Sequence, residues 1–173
     1  MGRGILVCGL NGCGKSTLGK ALANELGYHF IDIEDLYFPR RSSGEAYSDP
    51  LSRDEVQKLL REEISAHCDF VLAAVKADFG DDIIRLIDHI ILLEVPKDIR
   101  SKRIRDRSFA KFGERMLPGG DLYEQEEAFF RMADARNEAH VENWLQTLNI
   151  PVIRADGTRS TEENIHLIAK SLR

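Results

Sequence analysis

The chain has 173 residues, 43% of them hydrophobic and 31% charged, with a net charge of −5. That is long enough for one domain with a real core, and the acidic balance argues against a general nucleic-acid binder, which is basic overall. Three cysteines (Cys8, Cys13, Cys68) without paired or metal-ligand spacing read as reduced thiols, and no apolar run is long enough to span a bilayer, so a cytoplasmic protein without a membrane anchor or signal peptide is expected.

Gly4–Cys8 is a short continuous apolar run, the pattern of a parallel strand buried on both faces. A glycine loop follows, and in it Gly9, Gly12, Gly14, Lys15 and Ser16 satisfy G-x-x-x-x-G-K-[ST] in full. Glycines let the backbone turn its N–H groups inward around phosphate oxygens, and the helix that follows adds its positive end. Lys15 is expected to reach the β- and γ-phosphates and the Ser16 hydroxyl to bind Mg²⁺. Leu10, Asn11, Cys13 and Thr17 complete the loop and are expected to share its contact with the nucleotide. From Ser16 to Leu26 the apolar residues Leu18, Ala21, Leu22 and Leu26 mark one helix face, and Gly27 ends it.

Tyr28–Asp32 reads as a second strand, with Asp32, Glu34 and Asp35 at its end. In an open parallel sheet, ligands bind at the carboxyl ends of the strands. Asp32 therefore suits a metal partner or a group that orients the attacking oxygen. If the strand runs on to Glu34, Asp32 and Glu34 face the same side. Residues 36–52 form a loop rich in Pro, Gly and Ser, long enough to suggest function. Its Arg40 and Arg41, with Arg53, are candidates for holding an anionic acceptor, and Tyr37, Phe38 and Tyr47 for stacking on it. Ser52 and Glu55 make a capping box, so a helix should run from Arg53 to about His67.

Asp69–Val75 is a third strand, with Lys76 just past it as a further acceptor-side candidate and Asp78 a lesser one. A short helix and a fourth strand, His89–Val95, follow, and Pro96 closes the strand. The helix from Lys97 to Phe112 is rich in cations, including Arg100, Arg103 and Arg107. Fixed guanidinium groups stabilise the charge on a phosphoryl group in transit, and the four-residue spacing of Arg103 and Arg107 puts both on one face. Residues 113–121 read as a flexible break, and residues 122–148 as one long or bent helix. Arg131 and Arg136 are five apart, so a bend is needed to aim both inward. Residues 151–155 are a fifth strand, and Ser160 with Glu163 caps a last helix. His67, His89, His140 and His166 show no metal-ligand spacing, and Trp144 and the Phe129–Phe130 pair read as packing residues. Strands alternating with helices imply an α/β fold: a five-stranded parallel sheet with helices on both faces. We expect a single domain over residues 1–173, with an acceptor region at about 37–67 and a helical lid at about 99–136.

With these residues in hand, the chain resembles the P-loop kinases of the adenylate kinase, shikimate kinase and gluconate kinase type. The resemblance implies a three-layer P-loop fold, ATP with Mg²⁺, and a small-molecule phosphate acceptor. It implies that Lys15, Asp32, Arg103 and Arg107 are catalytic, with Ser16 and Asp32 at the metal. It implies that Arg103 and Arg107 begin a lid, that Arg131 and Arg136 are further phosphate-binding arginines, and that Arg154, Asp156 and Gly157 sit in an adenine-contacting loop. The acceptor signatures differ: Asp32-Ile33-Glu34 stands where shikimate kinases carry Asp-x-Asp, and the third strand ends in Ala-Ala-Val-Lys rather than a glycine run. A nucleoside- or nucleotide-like acceptor is slightly favoured over a small polyol or hydroxy acid. The competing classes are a regulatory module that only binds or hydrolyses ATP, and a kinase of polynucleotide 5′ ends.

Overall fold

Alternate residues of each central strand are buried on opposite faces, which is what a sheet covered by helices on both sides requires. The computed structural model, which describes residues 3–39 and 50–172, has β1 (Gly4–Cys8), β2 (His29–Asp32), β3 (Phe70–Ala73), β4 (Ile87–Glu94) and β5 (Val152–Asp156) in one sheet. All pairings are parallel and the order is β2-β3-β1-β4-β5. The expected α/β architecture is the one observed.

The helices are α1 (Lys15–Leu26), α2 (Ile33–Tyr37), α3 (Arg53–Ala66), α4 (Asp81–Ile84), α5 (Lys97–Phe112), α6 (Tyr123–Ala135), α7 (Ala139–Leu145) and α8 (Thr161–Ser171). On one face of the sheet Leu6, Leu72, Ile90 and Leu92 meet Val56 and Leu60 of α3 and Val141 and Leu145 of α7. On the other, Ile5, Val7, Val71 and Ile91 meet Leu18 and Leu22 of α1 and Ile168 of α8. The capping boxes read at Ser52 and Ser160 are both formed, and Gly27 ends α1 in the left-handed conformation.

Three local expectations change. The second strand does not continue to Glu34: Asp32 accepts a hydrogen bond from the Glu34 backbone N–H and starts α2 instead, because an Asp followed by two carboxylates is a strong helix start. Residues 113–121 are not a free break. They hold a 3₁₀ turn over Gly113–Met116, the Arg115–Asp121 ion pair at 2.6 Å, and Met116 buried against Ile104 and Phe130. The long helix after them is two helices, α6 and α7, broken at Arg136, whose backbone leaves the helical region. Glu126 of α6 is 1% exposed with both carboxylate oxygens unbonded among the described residues, and burial pushes its pKa up. Trp144 packs on the sheet face and Phe130 in the cluster between α5 and α6, the roles read for them.

Candidate active site

β1 delivers the glycine loop to the carboxyl edge of the sheet, at its centre. Gly9, Gly12 and Gly14 have φ of 140°, 82° and 98°, values that L side chains rarely adopt. Space is as restrictive as conformation. A Cβ on Gly12 would lie 2.6 Å from the Arg100 carbonyl oxygen, and one on Gly9 would lie 2.5 Å from that of Leu93. The loop is therefore a narrow backbone cradle clamped between α1, β4 and α5. Lys15 begins α1; it is buried, and its Nζ donates to the Leu10 carbonyl at 3.2 Å. Ser16 and Thr17 are exposed beside it at the helix start. Cys8 and Cys13 are both buried. Burial, with Cys13 beside it, pushes the Cys8 thiol up to about 12, so it stays protonated.

The loop has a support that the sequence reading missed. Arg100 is 2% exposed; its Nε donates to the Val95 carbonyl at 3.1 Å and its Nη1 to the Asn11 carbonyl at 3.3 Å. A buried cation against loop carbonyls both fixes the loop and adds positive potential beneath it. The signal was present: Arg100, Ile104 and Ser108 fall four apart, on the buried stripe of α5, whereas Arg103 and Arg107 fall on its exposed side.

On the β4–β5 side, Arg103 donates to the Gly157 carbonyl at 3.1 Å, and Gly157 packs so closely on the loop that a Cβ would lie 2.9 Å from the Cys13 oxygen. A cleft of about 240 Å³ opens there between Gly14, Thr17, Arg103, Gly157 and Arg159. Asp156 turns this loop by accepting from the Thr158 N–H and hydroxyl, which holds its carboxyl below the usual range. Arg154 turns away from that cleft: it pairs with Glu142 at 2.6 Å and Glu94 at 2.9 Å, on a second cavity of about 500 Å³ that reaches Gly9 and Leu10 of the loop. These carboxylates, Glu142 first, raise the Arg154 pKa further, and the Arg154 guanidinium in turn lowers that of Glu142.

On the other side of the loop, register sets the geometry. Asp32 pairs with Ala73, and Ala73 with Val7. Asp32 therefore sits level with the base of the loop and two strand spacings away, about 10 Å. Between them, Lys76 Nζ lies 3.7 Å from the Asp78 carboxylate; Arg53 lies 3.7 Å from the same carboxylate and also donates to the Asp78 carbonyl. Arg136, freed by the α6–α7 break, donates from Nη1 to the Asn11 side-chain oxygen at 2.9 Å. His140, one turn later, shares this neighbourhood: burial, Lys76 and Arg136 all lower its pKa, with Asp78 opposing. Lys76, Arg53, Arg136 and the loop thus converge. Glu34 and Asp35 are exposed in the first turn of α2, and Arg107 and Arg131 are exposed. Arg40, Arg41 and Tyr47 lie outside the described residues. Tyr37 packs against Phe79 with ring centroids 6.5 Å apart, and Phe38 is exposed beside it.

A family model described as "AAA domain" matches residues 5–115. Over 173 residues the chain is 28% identical to "Uncharacterized protein YqaC" of Bacillus subtilis (strain 168), covering 95% of this chain and 94% of that one. It is 26% identical over 130 residues to "Probable gluconokinase" of Dictyostelium discoideum, covering 65% of each. In fold it is similar to a sugar kinase from Janibacter sp. HTCC2649, with a TM-score of 0.57 at 19% identity, over 99% of this chain and 95% of that one. Fold and relatives are those of P-loop kinases, as the motifs led us to expect. No helix among the described residues is long and apolar enough to cross a membrane.

Proposed function

This chain belongs to the AAA domain family, and from that premise we propose that it is a cytoplasmic ATP-dependent kinase whose acceptor is a small anionic molecule, nucleotide-like in the first instance. The observation that carries the reading is the convergence of Lys76, Arg53 and Arg136 beside the phosphate loop, with Arg136 bonded to Asn11 of the loop itself. Lys76 and Arg53 share the single carboxylate of Asp78 and Arg136 meets the neutral Asn11 amide, so the three cations exceed that carboxylate by about two positive charges, which matches a phosphate monoester better than one carboxylate. Tyr37 and the exposed Phe38 lie on the same side and offer a surface for a base.

The residues divide the work. The loop N–H groups and the start of α1 hold the ATP phosphates, a cradle that Cβ atoms at Gly9 and Gly12 would fill. Lys15 exchanges the Leu10 carbonyl for phosphate oxygens. The smaller cleft, between Thr17, Arg103 and Gly157, takes the base of ATP. The Ser16 hydroxyl and the Asp32 carboxylate are hard oxygen donors of the kind Mg²⁺ takes. Bound there, Mg²⁺ supplies neutralisation of phosphate charge. One Asp32 oxygen accepts from the Glu34 N–H, which leaves the other to hold the metal or to orient the acceptor. The end of α5 and α6, packed on their own small cluster, form the lid, and its closure brings Arg107 to the transferring group beside Arg103, which already lies at the loop, and shuts out water.

A second reading, transfer to a hydroxy acid or polyol, draws on Asp32 at the end of β2 and on the gluconokinase-like and sugar-kinase-like relatives. Incubation with ATP, Mg²⁺ and a panel of nucleoside monophosphates, nucleosides, sugar acids, hydroxy acids and polyols separates the two. Phosphate should appear on a nucleotide-like acceptor and not in the Lys15→Ala variant. If ATP is only hydrolysed slowly, with no acceptor labelled and a protein contact that depends on nucleotide, the chain is a regulatory module and the proposal fails.

A further inference from the structure

At the opposite end of the molecule, β2 begins with His29, whose Nε2 lies 2.9 Å from Glu63 Oε2 of α3. The His67 ring, at the C-cap of α3, stacks on the His29 ring with centroids 3.6 Å apart and planes 13° from parallel. One ligand atom from each of His29, Glu63 and His67 can be chosen so that all three lie within 4.8 Å of one another. We propose that these three side chains form a site for a late divalent transition metal, zinc being the probe, which ties the edge strand β2 to the end of α3. The site is independent of the proposed kinase activity. It lies at the amino end of β2, about 10 Å along the strand from Asp32.

Three features support a built site. Glu63 and His67 are one helical turn apart, on one face, and the His67 N–H donates to the Glu63 carbonyl at 3.1 Å. The third donor is fixed by the strand, since the His29 N–H donates to the Asp69 carbonyl at 2.9 Å. Two imidazoles and a carboxylate are the donor set that a late divalent transition metal takes. Two neutral imidazoles and one carboxylate leave one positive charge on a bound dication, and water completes the shell. Zinc–nitrogen bonds of about 2.0–2.1 Å place tetrahedral ligands about 3.4 Å apart. Imidazole lone pairs lie in the ring plane, so binding requires the exposed His67 ring to turn out of its stack on His29 and bring its nitrogen to the shared ion. Spacing in the sequence hides the site, because His29 is 34 residues from Glu63 and enters from the strand.

The test uses the full chain, stripped with chelator and free of nucleotide, titrated with zinc by calorimetry and with cobalt by absorption. We expect one ion per chain, tetrahedral cobalt bands without a thiolate charge-transfer band, and a thermal midpoint about 5 °C higher at a hundredfold excess of zinc over its dissociation constant. His29→Ala and the exposed His67→Asn should each weaken zinc by at least about tenfold, and Cys68→Ser, next to His67, should bind as the parent does. His67→Asn is at a helix end and keeps the test valid if His29→Ala fails to fold. Undiminished binding in His67→Asn, loss of binding in Cys68→Ser, or no binding by the parent at large molar excess of zinc would each overturn the assignment.

Discussion

The two flanks of the phosphate loop are built on different principles. Towards β4 and β5 the tightest contacts are backbone against backbone: Gly12 on the Arg100 carbonyl, Gly9 on that of Leu93, Gly157 on that of Cys13. Nothing larger than hydrogen fits, and the shape is set by sterics. Towards β3 and β2 the contacts are long side chains, Lys76, Arg53 and Arg136, gathered by charge around Asp78 and Asn11. A steric cradle is specific and brittle. A charge cluster is graded and adaptable. Binding a common donor on the first flank and a particular acceptor on the second fits that division.

Substitutions test the division, the strongest first. Lys15→Ala should lower kcat by about 10³-fold or more with the fold retained, since a phosphate-directed cation is lost from a site where charge develops; single-turnover transfer from labelled ATP measures it. Gly12→Ala should break the first flank by geometry alone. A methyl at φ 82° and 2.6 Å from the Arg100 oxygen should cost about 3 kcal/mol, read as a lower urea midpoint together with lost ATP binding. If Gly12→Ala is as stable as the parent, the cradle is not the rigid body described. Lys76→Ala tests the second flank. It should raise the acceptor KM by about tenfold, the scale of one charge-assisted contact, with the ATP KM unmoved. An equal rise in both would show that the flanks are not separate.

Legibility followed the same division. The glycine loop could be read because its positive-φ positions and its lysine are local demands, met within eight consecutive residues. The parallel sheet followed from alternation, since parallel strands need crossovers. Arg100 was visible as a charge but not as a buried one, because its burial depends on α5 docking under the loop. The α6–α7 break at Arg136 had no glycine or proline to mark it. The residues about it still read as helical, and only contact with Asn11 gives that arginine its place. The cations at Asp78 and Asn11 come from α3, the end of β3 and the α6–α7 break, a juxtaposition that no short window of sequence contains. Asp32 was legible by position but not in full by role, because helix capping competes for the same carboxylate.

His140 gives the smallest effect and the finest reading of the second flank. Its pKa is lowered from 6.5, first by burial and then by Lys76 and Arg136, with Asp78 pulling the other way. The native state therefore binds fewer protons here than the unfolded chain, so stability is full above pH 6.5 and this contribution declines as pH falls through that value. Following the ring proton by NMR should give a midpoint below 6.5. Lys76→Ala should move it partway back up, because burial remains, and Asp78→Asn should move it further down. An anionic acceptor, bound among the same cations, should raise it as well, whereas ATP alone, held on the opposite flank, should move it less. If ATP shifts the His140 midpoint more than any anionic acceptor does, the cations of the second flank serve the nucleotide, and the assignment of the two sides is reversed.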